Sequence, residues 1–160
     1  MTILEGLIQY GSISFAIIAL IWKRDGMKKY VPVGLFASFY ANLWCYLAIY
    51  FNLWGYHHHK ILPLIRDISV PVNVIVAPIM AMFWVRYCPL RFKEKLLWAF
   101  IWTSLLTVVE VLIERRTNIL AYHGSYHWYH SYILWFFTWF IWLGFHLWLN
   151  DWKREFDSIF

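Results

Sequence analysis

Charge is scarce in this 160-residue chain: 14% of its residues are Asp, Glu, Lys or Arg, against about 25% in a soluble domain. With hydrophobic residues at 62%, a soluble fold of this length would leave large apolar patches in water. Polar linkers are also missing, which excludes two separately folded domains. Cysteine is limited to Cys45 and Cys88, so there is neither a disulfide framework nor a CxxC zinc signature, and the two thiols read as small hydrophobes. No basic segment precedes the first apolar stretch. Glu5 stands near its start, and Ile21-Trp22-Lys23-Arg24 follows in place of a small-residue cleavage site. These features predict that the first stretch is retained as a helix and not cleaved as a signal peptide. Walker loops, a serine triad, HExxH and a dinucleotide fingerprint are all absent, which argues against a familiar soluble-type catalytic site.

What the chain does have is length of apolar run. Five stretches, Ile3–Trp22, Val31–Leu53, Ile68–Tyr87, Leu96–Ile113 and Tyr129–Leu149, fill most of it. A bilayer core about 30 Å thick needs ~20 apolar residues at about 1.5 Å rise each. The prediction is an all-α polytopic membrane protein, a single domain over residues 1–160 built as a bundle of five transmembrane helices. Asp25-Gly26, Gly55, Cys88-Pro89 and Gly124-Ser125 mark the breaks. No internal repeat is evident, and an odd span count leaves no simple pair of inverted halves. The 12 Trp and 11 Tyr are expected at the membrane–water interface, where ring and polar tip are both satisfied.

Basic residues set the expected orientation. With alternate loops on opposite sides, one side receives Lys23, Arg24, Lys28, Lys29, Arg86, Arg91, Lys93, Lys95, Lys153 and Arg154, and the other Lys60, Arg66, Arg115 and Arg116. Ten against four puts the first side in the cytoplasm, giving an N-out, C-in protein of the cell (plasma) membrane. Anionic lipid headgroups account for the basic loops, and no nucleic-acid partner is needed.

Candidate chemistry gathers on the other side. Six of the seven histidines fall there: His57, His58, His59, His123, His127 and His130. Histidine titrates near neutral pH and ligates metals, so His123, His127 and His130 are candidates for a rim responsive to protons or a divalent metal ion. On a continuous helix their spacings of four and three would share a face, although Gly124 and Ser125 favour a turn. In the fourth stretch Thr103, Thr107, Glu110 and Glu114 form one helical stripe. Glu110, about one turn inside the boundary, is expected to face the bundle, with Arg115, Arg116, Asn73 or the histidines as partners. Ser38, Asn42 and Cys45 share a face of the second stretch. Asn73 lies between Pro71 and Pro78 in the third, where a kinked helix would free carbonyls to line a polar cavity. Glu110, Asn73, Asn42 and Thr107 are therefore the pocket candidates.

The order of several motifs carries a resemblance. Trp54-Gly55-Tyr56, then Leu62-Pro63 and Arg66-Asp67-Ile68, are followed by Leu96–Trp102, by Val109-Glu110-Val111-Leu112-Ile113 and by Tyr122-His123-Gly124-Ser125-Tyr126-His127-Trp128. Over roughly residues 30–149 this resembles small multi-spanning membrane proteins of Bacillus- and Clostridium-type bacteria, in which a glutamate in a late helix precedes a Tyr–Gly–Trp-like outer loop. The loop before the third stretch departs from the polar, Asn/His-containing version of that family. The resemblance implies an integral membrane protein of four to five helices in a Gram-positive cell, and no activity.

Three functional classes follow. The first is a membrane protein that binds or passes a small ligand, proton or metal ion through an outward-facing polar pocket. The second is a non-catalytic partner or accessory subunit that packs on a larger membrane protein, or on its own copies, through aromatic surface. The third is a membrane-embedded enzyme working with a Glu/His site on a lipid-like substrate. Metal bound to the purified protein would favour the first or third, and copurification of one larger membrane protein the second.

Overall fold

The computed structural model describes residues 3–56 and 68–157, with side chains as far as Asp151. His57, His58, His59, Lys60, Leu62-Pro63, Arg66 and Asp67, and the side chains of Lys153 and Arg154, lie outside that range. The elements run α1 (Ile3–Trp22), a 3-10 turn (Met27–Tyr30), α2 (Val31–Tyr50), β1 (Trp54–Tyr56), a π turn (Val72–Val76), α3 (Ala77–Arg86), α4 (Phe92–Arg116), β2 (Leu120–Tyr122) and α5 (Trp128–Asp157).

Four of these helices, α1, α2 with its preceding turn, α4 and α5, are long and apolar enough to cross a membrane. Their outer faces are apolar: Phe15, Leu35, Phe39, Leu105 and Phe137 are all exposed. Such faces are stable only in lipid, and the chain is a helical membrane protein. The third stretch differs from its expected Ile68–Tyr87 length. It is helical over residues 70–86, with the five-residue π turn Val72–Val76 leading into the ten-residue α3. Pro78 explains the local geometry. It has no N–H to give, and the turn before it widens so that the Ala77 N–H bonds to the Val72 carbonyl.

The other boundaries follow from local chemistry. Gly26, at φ 73°, makes the left-handed turn after α1. α2 stops three residues short of the expected end, and Asn52 is what stops it. Asn52 takes φ 52°, and Asn52 N and Leu53 N bond back to the Ile49 and Ala48 carbonyls, a Schellman closure with asparagine in the usual glycine position. Gly55 lies one element further on, inside β1. α4 extends beyond its apolar run at both ends to take in Lys93, Glu94, Arg115 and Arg116.

The helices alternate in direction, which gives the bundle a basic end and a ribbon end. At the basic end, Arg86 Nη1 donates to the Lys23 carbonyl at 2.8 Å. At the other, β1 and β2 pair antiparallel in the register Trp54↔Tyr122, Gly55↔Ala121, Tyr56↔Leu120. This short ribbon is absent from the all-α expectation. His123 N extends it by donating to the Leu53 carbonyl. Beside it the Asn118 N–H donates to Glu5 Oε1 at 3.2 Å, so the start of α1 is tied in as well.

The core combines tiny residues with very large ones. Val33, Ala37, Ala81 and Ala99 are fully buried, as are Trp84 and Trp139, with Trp142 nearly so. Small residues bring backbones close where lipid gives no hydrophobic drive for helix association. Gly34 shows how close: a Cβ there would lie 2.9 Å from Met82 Sδ on α3. Tryptophan therefore has a second place besides the interface expected for it. Trp135, Trp139 and Trp142 recur at spacings of four and three, so α5 turns one indole-rich face inward. Trp139 stacks on Trp84 with centroids 5.1 Å apart.

Candidate functional site

A chamber of about 300 Å³ lies in the ribbon half of the bundle. Every helix contributes to it: Ile8 and Gln9 from α1, Trp44 and Cys45 from α2, Asn73 from the π turn, Met80 from α3, Leu106 and Glu110 from α4, Trp135 and Trp142 from α5. Trp54 and Tyr56 of β1 and Leu120 of β2 complete it from the ribbon. The sequence predicts a polar pocket, whereas these walls are mainly apolar and aromatic, with polar groups in two clusters and further ones at Gln9, Ser12, Ser69 and Thr138.

The first cluster centres on Glu110. Its Oε1 accepts from the Tyr122 hydroxyl at 2.9 Å and from Ser131 Oγ at 2.6 Å. Its Oε2 accepts from Trp135 Nε1 at 3.0 Å. Because Ser131 gives its only proton to the carboxylate, Tyr126, 2.9 Å away, must be the donor to Ser131 Oγ. A directional chain Tyr126→Ser131→Glu110 results, and its last link has the shortness of a charge-assisted bond. Burial raises both phenols well above their ordinary value, and the negative charge of Glu110 adds to the rise. Both tyrosines therefore remain donors. Three elements converge here: α4 carries the carboxylate, β2 delivers Tyr122, and α5 delivers Ser131 and Trp135.

The second cluster joins α2 to the π turn. Asn73 Nδ2 donates to Asn42 Oδ1 and to Cys45 Sγ, both at 3.3 Å. Asn42 in turn donates to the Ser38 carbonyl at 2.8 Å. Asn73 and Cys45 line the chamber; Asn42 stands behind them and holds the Asn73 amide in place.

The expected stripe on α4 is buried as a face, yet its members divide in role. Thr103 Oγ1 accepts from Trp139 Nε1 at 3.0 Å. Thr107 is buried, is not part of the chamber wall, and its hydroxyl has no partner among the described residues. Glu110 reaches the chamber, while Glu114 is half-buried one turn beyond it. The partners of Glu110 are Tyr122, Ser131 and Trp135, in place of the expected Arg115, Arg116, Asn73 or histidines.

The histidines follow a different geometry from the helical face. His123 precedes the turn at Gly124 (φ 58°), and α5 starts only at Trp128. His127 is exposed, and its backbone N–H donates to His130 Nδ1 at 3.0 Å. His130, at the third helical position, thus caps the start of α5 as the side chain of a capping box does. Its ring stacks on Tyr126, with centroids 5.2 Å apart. Among the described residues, no three His, Cys, Asp or Glu side chains come together in an arrangement that could hold a metal ion.

Sequence reasoning missed Ser131, Trp135 and Tyr122 as ligands of Glu110, and Glu5 as a buried group. A signal for part of this was present: Ser131, Trp135, Thr138 and Trp142 fall on one face of α5 at helical spacing. Compared with known proteins, the chain matches no family model, no curated sequence and no solved structure.

Proposed function

We propose that this protein is a multi-pass plasma-membrane binding protein whose chamber takes a small, mostly apolar molecule bearing one polar group. The observation behind this reading is the chamber itself: apolar and aromatic walls contributed by every helix, with a single hydrogen-bonded carboxylate at the ribbon side. Binding sites for small organic molecules have this make-up of many apolar groups and a few polar ones. A chamber-filling change tests it. Ala41 lines the cavity, and Ala41→Phe is expected to displace the occupant. Mass spectrometry of extracts should find a discrete small molecule retained by the purified parent protein and lost from the variant. A parent protein carrying nothing above bulk lipid, or a variant carrying the same molecule, would overturn the reading.

The proposed topology has five passes, with the N-terminus outside and the basic end in the cytoplasm, the π turn and α3 serving as the short third pass. Alternating helix direction and the basic asymmetry support it. With Cys45 and Cys88 replaced by alanine, a membrane-impermeant thiol reagent on intact cells should label His127→Cys and spare Arg91→Cys; the reverse pattern would invert the topology. The quoted motifs also make membership of the Bacillus/Clostridium-type family a proposal.

A further inference from the structure

We infer that the chamber's ligand is a lipophilic organic monocation, an amine or quaternary ammonium compound held by Glu110 among aromatic rings. This rests on the binding reading above and names its substrate class. The charges of the wall come first. Among the described lining residues Glu110 is the one carboxylate, and no Lys, Arg or His is present. Its three hydrogen-bond partners are all neutral donors. They orient the group and suit an acceptor-only carboxylate, but they leave its unit negative charge uncancelled. Of about four lone-pair positions on a carboxylate, the three bonds leave one, on Oε2. The described lining residues thus carry one net negative charge, and in a low-dielectric cavity such a charge attracts a single cation far more strongly than it would in water.

The walls decide what kind of cation. Seven Tyr and Trp rings border the chamber, among them Trp44, Trp54, Tyr56 and Trp142, and no Phe does. These are the electron-rich faces over which an ammonium is stabilised. An inorganic cation such as calcium or magnesium requires several oxygen ligands at short range, and among the described residues no three His, Cys, Asp or Glu side chains come together to hold one. A phospholipid headgroup fits no better: beside its ammonium it carries a phosphate, and the described lining residues offer that phosphate no positive partner. About 300 Å³ suits a molecule the size of a substituted benzylamine and not a two-chain lipid.

The test compares two probes of one shape. Benzyltrimethylammonium and its uncharged carbon isostere, neopentylbenzene, are measured by equilibrium dialysis against the full-length protein in nanodiscs. The parent is expected to favour the cation by more than about tenfold, and Glu110→Gln to bring the preference to within about threefold. Glu114→Gln, a charge loss one turn away outside the chamber, should keep the full preference. Dihexanoyl-phosphatidylcholine should not compete. Equal saturable binding of both probes by the parent would overturn the cation assignment while leaving a binding chamber. Saturable binding of neither would overturn the assignment and the chamber reading together. Competition by the phospholipid at the cation's own concentration would replace a free cation with a lipid headgroup. The parent comparison needs no variant, so poor folding of Glu110→Gln does not remove the test.

Discussion

Glu110→Leu should destabilise the purified protein by about 2–3 kcal/mol, and Glu110→Gln by less, as read from thermal unfolding in detergent or nanodiscs. Opposing effects set this figure. Placing a carboxylate in a membrane helix costs about 2.5–3.5 kcal/mol at the centre on insertion scales. Three hydrogen bonds to a charged group return ~1.5 kcal/mol or more each. The parent therefore gains slightly from the charge, and leucine does worse than cancel that gain. It leaves the hydroxyls of Tyr122 and Ser131 and the indole N–H of Trp135 facing an apolar side chain. The hydroxyls can rotate toward other acceptors, but the indole cannot. Glutamine keeps one oxygen for Tyr122 and Ser131 and turns an NH₂ toward Trp135. The expected order is Glu, then Gln, then Leu. A leucine variant as stable as the parent would show that the cluster carries no net stabilisation.

Trp139→Ala should cost more, about 3–5 kcal/mol, the usual range for emptying a fully buried indole site. The ring has no solvent exposure and lies against Trp84, Trp135, Trp142 and Trp102, with centroids 5.1, 5.9, 5.2 and 6.0 Å away. Four flanking indoles on three helices cannot all shift to fill the void. Trp139→Phe keeps most of the ring contact and gives up the bond to Thr103, so about 1 kcal/mol is expected. Trp148→Ala, on the exposed side of the same helix, should stay within about 0.5 kcal/mol of the parent. If Trp139→Ala behaves like Trp148→Ala, the indole cluster is not the structural centre of the bundle.

Reading the sequence located the helices well where the signal was length and hydropathy. α1 has the predicted bounds, and α4 contains its predicted run. It read less well wherever a boundary depended on a single backbone conformation. Asn52, not Gly55, ends α2, because asparagine can adopt the left-handed conformation that closes a helix. In the third stretch apolar composition does not report the π turn that Val72–Val76 makes. The polar residues of the site were partly visible: Glu110, Asn73 and Asn42 stand out because amides and carboxylates are costly in lipid. Their partners were not. Ser131 and Trp135 are ordinary residues for a membrane helix, and Tyr122 reaches Glu110 only because a three-residue ribbon pairs Trp54 with Tyr122. That pairing spans two helices and is invisible to any local pattern. The histidine spacing pointed to a shared face that Gly124 and the late start of α5 prevent.

That ribbon also fixes an order of events during synthesis. Its first strand leaves the ribosome early and must wait through α3 and α4 for its complement, Leu120–Tyr122. The donors Ser131 and Trp135 arrive later still. A nascent chain halted just after Arg116 would already hold Glu110 and most of the chamber wall, yet none of the three groups that bond its carboxylate. Membrane helices insert as independently stable units and associate afterwards. The helices can thus all be in place before the site has its full set of donors, and the carboxylate passes through the assembling bundle unligated until the last helix closes over it.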